Sequence, residues 1–131
     1  MDSSSLRWSG GTPLDPGVLT RLRHDLGDDV ARRFLCTYVR LLPERLDGIQ
    51  AALTRREPLK AARIACDLRT ASSMLGAVRL AHLTHLLERH LRKGEIDRAV
   101  GGLSIIRREA LEVSLALQRA VGSGGDHWPS R

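Results

Sequence analysis

The sequence predicts an all-α fold, an up-down four-helix bundle with an additional short N-terminal helix, and three observations carry that expectation. Aromatic residues make up only 3% of the chain while hydrophobic residues reach 42%. Burial must therefore come from Leu, Ala, Val and Ile, which suits packed helices better than a sandwich of aromatic-rich strands. Apolar residues recur at steps of three and four, and no strand-like alternation survives more than a few positions. Turn signals are few, at Gly27, Glu57-Pro58, Gly76 and Lys93-Gly94, and they cut the chain into long helical segments. At 131 residues the chain has room for one core. No repeat of 20 to 50 residues is visible.

The elements follow in order. Residues 1–13 are rich in Ser, Gly and Pro and read as a flexible segment. A short helix is expected after Asp15, with Pro16 in its first turn and Val18, Leu19 and Leu22 on one side, lying over the bundle like a lid. The second helix begins at Asp28 or Asp29, either of which can cap it. It carries Val30, Phe34, Leu35, Tyr38, Val39, Leu42, Leu46, Ile49 and Leu53 on its apolar stripe. Pro43 falls inside it and lacks the N–H that a helix interior needs, so a kink or a break is expected there. A third helix runs from Pro58 to Leu75, closed by Gly76 in the left-handed conformation. The fourth runs from about Ala77 to Arg92 along a seam of Leu80, Leu83, Leu87 and Leu91. The fifth starts near Glu95 and ends near Val121. Its stripe is Ile96, Ala99, Val100, Leu103, Ile106, Ala110, Val113, Ser114, Leu117 and Val121. The helical bundle thus occupies 14–121, and 122–131 reads as a second flexible tail. Short turns between long helices make neighbours antiparallel.

Charge and composition narrow the function classes. The net charge is +6, and all of the 21 basic residues except Lys60 and Lys93 are arginine. A nucleic-acid reader would cluster them on one face with interleaved aromatics, whereas here they are scattered from Arg7 to Arg131, which argues against nucleic acid. No apolar run approaches the roughly 20 residues that span a bilayer, and the N-terminal residues lack the layout of a signal peptide, so a soluble, cytoplasmic protein is expected without a membrane partner. Two cysteines, Cys36 and Cys66, are too few for a disulfide scaffold and lack metal or redox spacing. Cys36, among Phe34, Leu35 and Tyr38, reads as a packing residue. The chain has no Gly-rich phosphate cradle, GxSxG or HExxH, so neither a cofactor nor an independent active site is expected. His82 and His85 share the polar face of the fourth helix and read as exposed; no third ligand with suitable spacing makes them a metal site.

The position that stands out is Cys66. At 100° per residue, Leu59, Ala62, Arg63, Arg69, Thr70 and Ser73 fall within about 60° of it, and Ile64, Leu68, Ala71 and Leu75 lie opposite. Free cysteine is usually buried, so a cysteine on the polar face between two arginines is the least expected placement in the chain.

The stretch Ala65-Cys66-Asp67-Leu68-Arg69-Thr70, followed by Leu75-Gly76-Ala77, Leu80-Ala81-His82-Leu83 and Leu87-Glu88, resembles the signature of the histidine-containing phosphotransfer (HPt) domain family. That family's pattern is roughly A-H-x-L-K-G, then L-G-A, L-x-x-L and L-E at these spacings. Leu14-Asp15-Pro16, the helix interrupted by Pro43 and Gly94-Glu95-Ile96 resemble its other elements, and the likeness covers about residues 14–118. The resemblance implies a helical bundle of two-component phosphorelays, with response-regulator receiver domains or a hybrid sensor kinase as partners.

The departures matter as much. Cys66 stands where the family carries its phospho-accepting histidine, and Thr70 stands where it carries a small glycine one turn later. Arg69 keeps the charge of the family lysine. An imidazole nitrogen is nucleophilic near neutral pH, whereas a thiol of pKa about 8.5 is only a few per cent thiolate. The expectation is therefore a module that docks receivers or a kinase through Arg63, Cys66, Arg69, Thr70 and Ser73 without transfer by the usual histidine. Two alternatives stand beside it. One is transfer through Cys66, or through His82 or His85; the other is an unrelated helical adaptor or nucleic-acid-binding bundle.

Overall fold

The computed structural model describes residues 13–123, and the segments before and after them, including His127, lie outside this account. Five helices follow one another: α1 (Pro16–Leu26), α2 (Asp28–Thr54), α3 (Pro58–Leu75), α4 (Val78–Arg92) and α5 (Ile96–Ser123). Among the described residues there is no strand. The all-α expectation holds, and α5 runs two residues beyond the Val121 boundary.

Helix boundaries follow local chemistry. Asp15 caps α1, its Oδ1 accepting from the Gly17 N–H at 2.9 Å, and Pro16 fills the first helical position where a missing N–H costs nothing. α2 departs from expectation. Gly27 rather than an aspartate is its N-cap, and no side chain caps it; Asp28 lies in the first turn and pairs with Arg23 at 3.2 Å. Both aspartates still favour that end through the helix dipole. α2 continues through Pro43 without a break, and Pro43 itself is exposed. α3 begins on Pro58 and ends on Gly76 at φ +80°, where the Gly76 and Ala77 N–H groups return to Ser73 and Ser72 carbonyls.

Helices adjacent in sequence pack side by side, and α5 closes the ring against α2. The bundle order is therefore α2, α3, α4, α5, with α3 and α5 on opposite corners. Leu35, Tyr38 and Ile49 of α2 meet Leu68 and Leu75 of α3, Leu80 and Leu87 of α4, and Leu103, Ile106 and Leu117 of α5 in one buried cluster. Each such side chain contributes roughly 1.5–3 kcal/mol of burial. α1 lies against α2 and α3 through half-buried Leu19 and Leu22 and buries no residue fully, consistent with a lid.

Three packing expectations need correction. Val30, in the first turn of α2, and Val100, in the second turn of α5, sit at stripe edges beyond the facing helices and are exposed. Cys36 does not pack inside. It lies about 100° around α2 from buried Leu35 and is exposed, on the rim of a cleft with Val39, Leu117 and Val121. No helix among the described residues is long and apolar enough to cross a membrane.

Candidate functional site

α3 is built to lie close to its neighbours. Ala61, Ala62 and Ala65 are fully buried, and with only a methyl each they let adjacent backbones approach. Ala62, expected on the Cys66 face, is thus core instead. The remaining residues of that face are accessible: Leu59, Arg63, Thr70 and Ser73 are exposed, while Cys66 and Arg69 are half-buried.

Geometry ties Cys66 into a small polar cluster. Arg69 Nη2 donates weakly to Cys66 Sγ at 3.5 Å, and Thr70 Oγ1, one turn on, donates to the Cys66 carbonyl at 2.9 Å. The Thr70 hydroxyl is thereby engaged by the backbone, a common habit of threonine inside helices. Arg69 Nε donates to Glu88 Oε1 on α4 at 2.8 Å, and Arg92 Nη2 donates to Glu88 Oε2 at 3.0 Å. Glu88 is 6% exposed, so both carboxylate oxygens of a buried acid are satisfied by two partly exposed arginines.

The electrostatics follow from this wiring. The hydrogen bond to Glu88, reinforced by its charge, raises the Arg69 pKa and keeps the guanidinium cationic. Burial is the largest single influence on Glu88 and pushes its pKa up. The hydrogen bonds and charges of Arg69 and Arg92 together outweigh it, and Glu88 stays below the usual carboxylate range. Three charges thus form one unit with a net charge of +1 beside Cys66, and Arg63 adds a separate exposed cation.

His82 and His85 are both exposed on α4, as their spacing predicts, and no group of three potential ligands could hold a metal among the described residues. His90 is half-buried and its Nδ1 lies 2.7 Å from Glu95 Oε1. Sequence reasoning missed the Glu88 bridge. The Glu88/Arg92 spacing of four was visible, but the Arg69 contact depends on the register of α3 against α4, which helical periodicity does not set.

Comparison with known proteins settles what kind of bundle this is. The family model of the Hpt domain matches residues 33–121. The chain belongs to the Hpt domain family. The crystal structure of histidine-containing phosphotransfer protein B (HptB) from Pseudomonas aeruginosa PAO1 is similar to it, with a TM-score of 0.77 and 31% sequence identity over 82% of this chain and 92% of that one. No curated protein matches the chain. This HPt bundle is therefore a module of the phosphorelay class, whose members work with receiver or kinase domains. The reading as an unrelated helical adaptor or nucleic-acid-binding bundle is set aside by that membership.

Proposed function

We propose that this HPt module docks receiver domains or a sensor kinase through the α3 face and acts by occupancy, without relaying phosphate through the family's histidine. The observation that supports this most is the side chain at the centre of the face. Cys66 matches the acceptor position of the family pattern and is half-buried, with its carbonyl bonded by Thr70 and its sulfur touched by Arg69.

Relay through a histidine requires an imidazole nitrogen to attack the phosphorus of an aspartyl phosphate, forming N–P as the acyl O–P bond breaks and the carboxylate leaves. A neutral thiol is a poor nucleophile for that step. Thr70 adds bulk where a partner must come close. The cationic rim remains: Arg63 and the Arg69–Glu88–Arg92 unit complement the acidic phosphorylation pocket of a receiver. The docking boundaries we assign are residues 14–121, with the contact made by Arg63, Cys66, Arg69, Thr70 and Ser73.

Transfer of labelled phosphate from a panel of phosphorylated receivers tests the reading. The unaltered chain stays unlabelled, and Cys66→His gains label from a cognate receiver. Label on the unaltered chain, mapped to Cys66, His82 or His85, would overturn the proposal in favour of an active phosphotransfer protein.

A further inference from the structure

α5 buries one side and leaves the other without a partner. Ala99, Leu103, Ile106, Ala110, Val113 and Leu117 face the core. At 100° per residue, the opposite side centres on Arg108 and is flanked by Ile105, Leu111, Glu112 and Leu115. The three apolar residues of this side are 51%, 59% and 40% exposed in chain order. Arg108 and Glu112 are exposed too, and among the described residues neither takes part in an ion pair. Shallow clefts of about 620 Å³ and 370 Å³ run along the two flanks of the helix, against α4 and α2 respectively, and Leu111 stands between them, lining both.

The order of these residues is self-complementary. Arg108 and Glu112 lie two positions either side of Ala110, and Ile105 and Leu115 lie five either side. When two copies of this helix are laid antiparallel about a two-fold axis at that level, Arg108 of each meets Glu112 of the other and Ile105 meets Leu115. The two Leu111 side chains fall next to the axis and can enter the flanking clefts. Further along, a Cβ added at Gly101 would meet nothing within 4 Å, so this position is open and offers no bulk against an approaching helix. An arginine, a glutamate and two apolar residues in this order match a second copy, whereas a uniformly acidic or basic partner would meet one like charge in each pair.

We infer that the outer face of α5 is an isologous dimer interface, with a second copy of this chain as its occupant. α5 is the corner of the bundle opposite α3, so pairing leaves the Cys66 face of both copies open and yields a two-headed docking unit. The inference stands whether or not the α3 face transfers phosphate. A single helix pair lies at the small end of specific interfaces, so the dimer dissociates at roughly micromolar concentration.

Sedimentation velocity over about 1 to 200 μM, spanning that range, reads the mass directly. The unaltered chain rises from 14.5 kDa towards twice that value as concentration increases. Arg108→Glu and Glu112→Arg each place like charges in both pairs and shift the dissociation midpoint at least about tenfold towards monomer. The double variant R108E/E112R restores the pairs in reversed sense and recovers the dimer. Far-UV circular dichroism confirms that each variant remains helical. A chain that is monomeric throughout, single variants that dimerise like the unaltered chain, or a double variant that stays monomeric would each overturn the interface.

Discussion

Two buried glutamates show how local wiring decides the sign of a pH effect. Glu88 and Glu109 are 6% and 8% exposed, yet their pKa values move in opposite directions. Two arginines outweigh burial at Glu88. At Glu109 burial outweighs the single ion pair with Arg79 at 3.0 Å, nearby Glu112 pushes the same way, and the second carboxylate oxygen has no hydrogen-bond partner. A depressed carboxylate stabilises the fold above its unfolded pKa and loses that contribution as pH falls through its folded value. Glu88→Gln should therefore cost about 1–3 kcal/mol near neutral pH, with the gap to the unaltered chain closing in acid. A raised carboxylate has the reverse effect: its penalty is full above the folded pKa and absent below the unfolded one. Glu109→Gln, which keeps an acceptor for Arg79, should stabilise at neutral pH and lose its advantage in acid. Urea titrations from pH 3 to 8 compare both variants with the unaltered chain. Tyr38 supplies an alkaline counterpart. Its hydroxyl meets Ser72 Oγ at 2.8 Å inside the core, and burial pushes its pKa up to about 12. Stability linked to Tyr38 should begin to fall as the unfolded phenol ionises near pH 10, by about 2 kcal/mol at pH 12. Tyr38→Phe removes that loss, and a Tyr38→Phe chain that weakened equally across this range would contradict the assignment. Apart from the Glu88–Arg92 pair, four residues apart on one helix, these partnerships were not legible in the sequence, because each joins residues 19 to 34 positions apart through the register of neighbouring helices.

Helix ends, by contrast, were readable almost to the residue, because caps are local. Pro16, Pro58 and Gly76 each stand where their backbone chemistry requires. Gly76 does two things at once. It adopts φ +80°, and an added Cβ would lie 2.8 Å from Val18 Cβ and 3.1 Å from the Asp15 carbonyl, while its own carbonyl accepts from the Asp15 N–H at 2.8 Å. Gly76→Ala should thus cost more than about 2 kcal/mol through backbone strain and displacement of α1 together. Denaturant unfolding measures the cost, and protease cleavage within α1 reports the displacement; an intact α1 at unchanged stability would rule this coupling out. Where the sequence misled, the reason was also physical. Spacing places Val30, Val100 and Cys36 near the apolar stripes of α2 and α5, but a stripe is buried only where another helix covers it. Of the kink or break expected at Pro43, the break is absent, and α2 runs on through an exposed proline. The Cys66 face was legible in outline, since Arg63, Cys66, Arg69, Thr70 and Ser73 do share the accessible side of α3, and Ala62 failed because it lies at the edge turned towards a neighbouring helix.

At the scale of the whole molecule, a net charge of +6 favours an acidic partner in general, so a test of the proposed docking face must separate it from that general attraction. The two arginines flanking Cys66 do this unequally. Arg69 is structural as well as cationic, since it satisfies one oxygen of buried Glu88. Arg69→Glu would set two carboxylates together at the α3–α4 contact, so weaker docking by that variant would mix lost recognition with a damaged fold. Arg63 is exposed and takes part in no ion pair among the described residues, which makes it the cleaner probe. Arg63→Glu should leave the unfolding free energy within about 0.5 kcal/mol of the unaltered chain, as surface changes usually do. It should weaken binding to a cognate receiver by roughly tenfold at low salt, chiefly through slower association. Charge reversal at Arg33 on α2, equally exposed but on another helix, removes the same net charge and should have a much smaller effect. Association rates at about 50 and 300 mM salt separate the two, because screening shrinks a steering effect as the Debye length shortens. Equal loss from Arg33→Glu and Arg63→Glu would mean that only overall charge matters and that the α3 face is not where the partner docks.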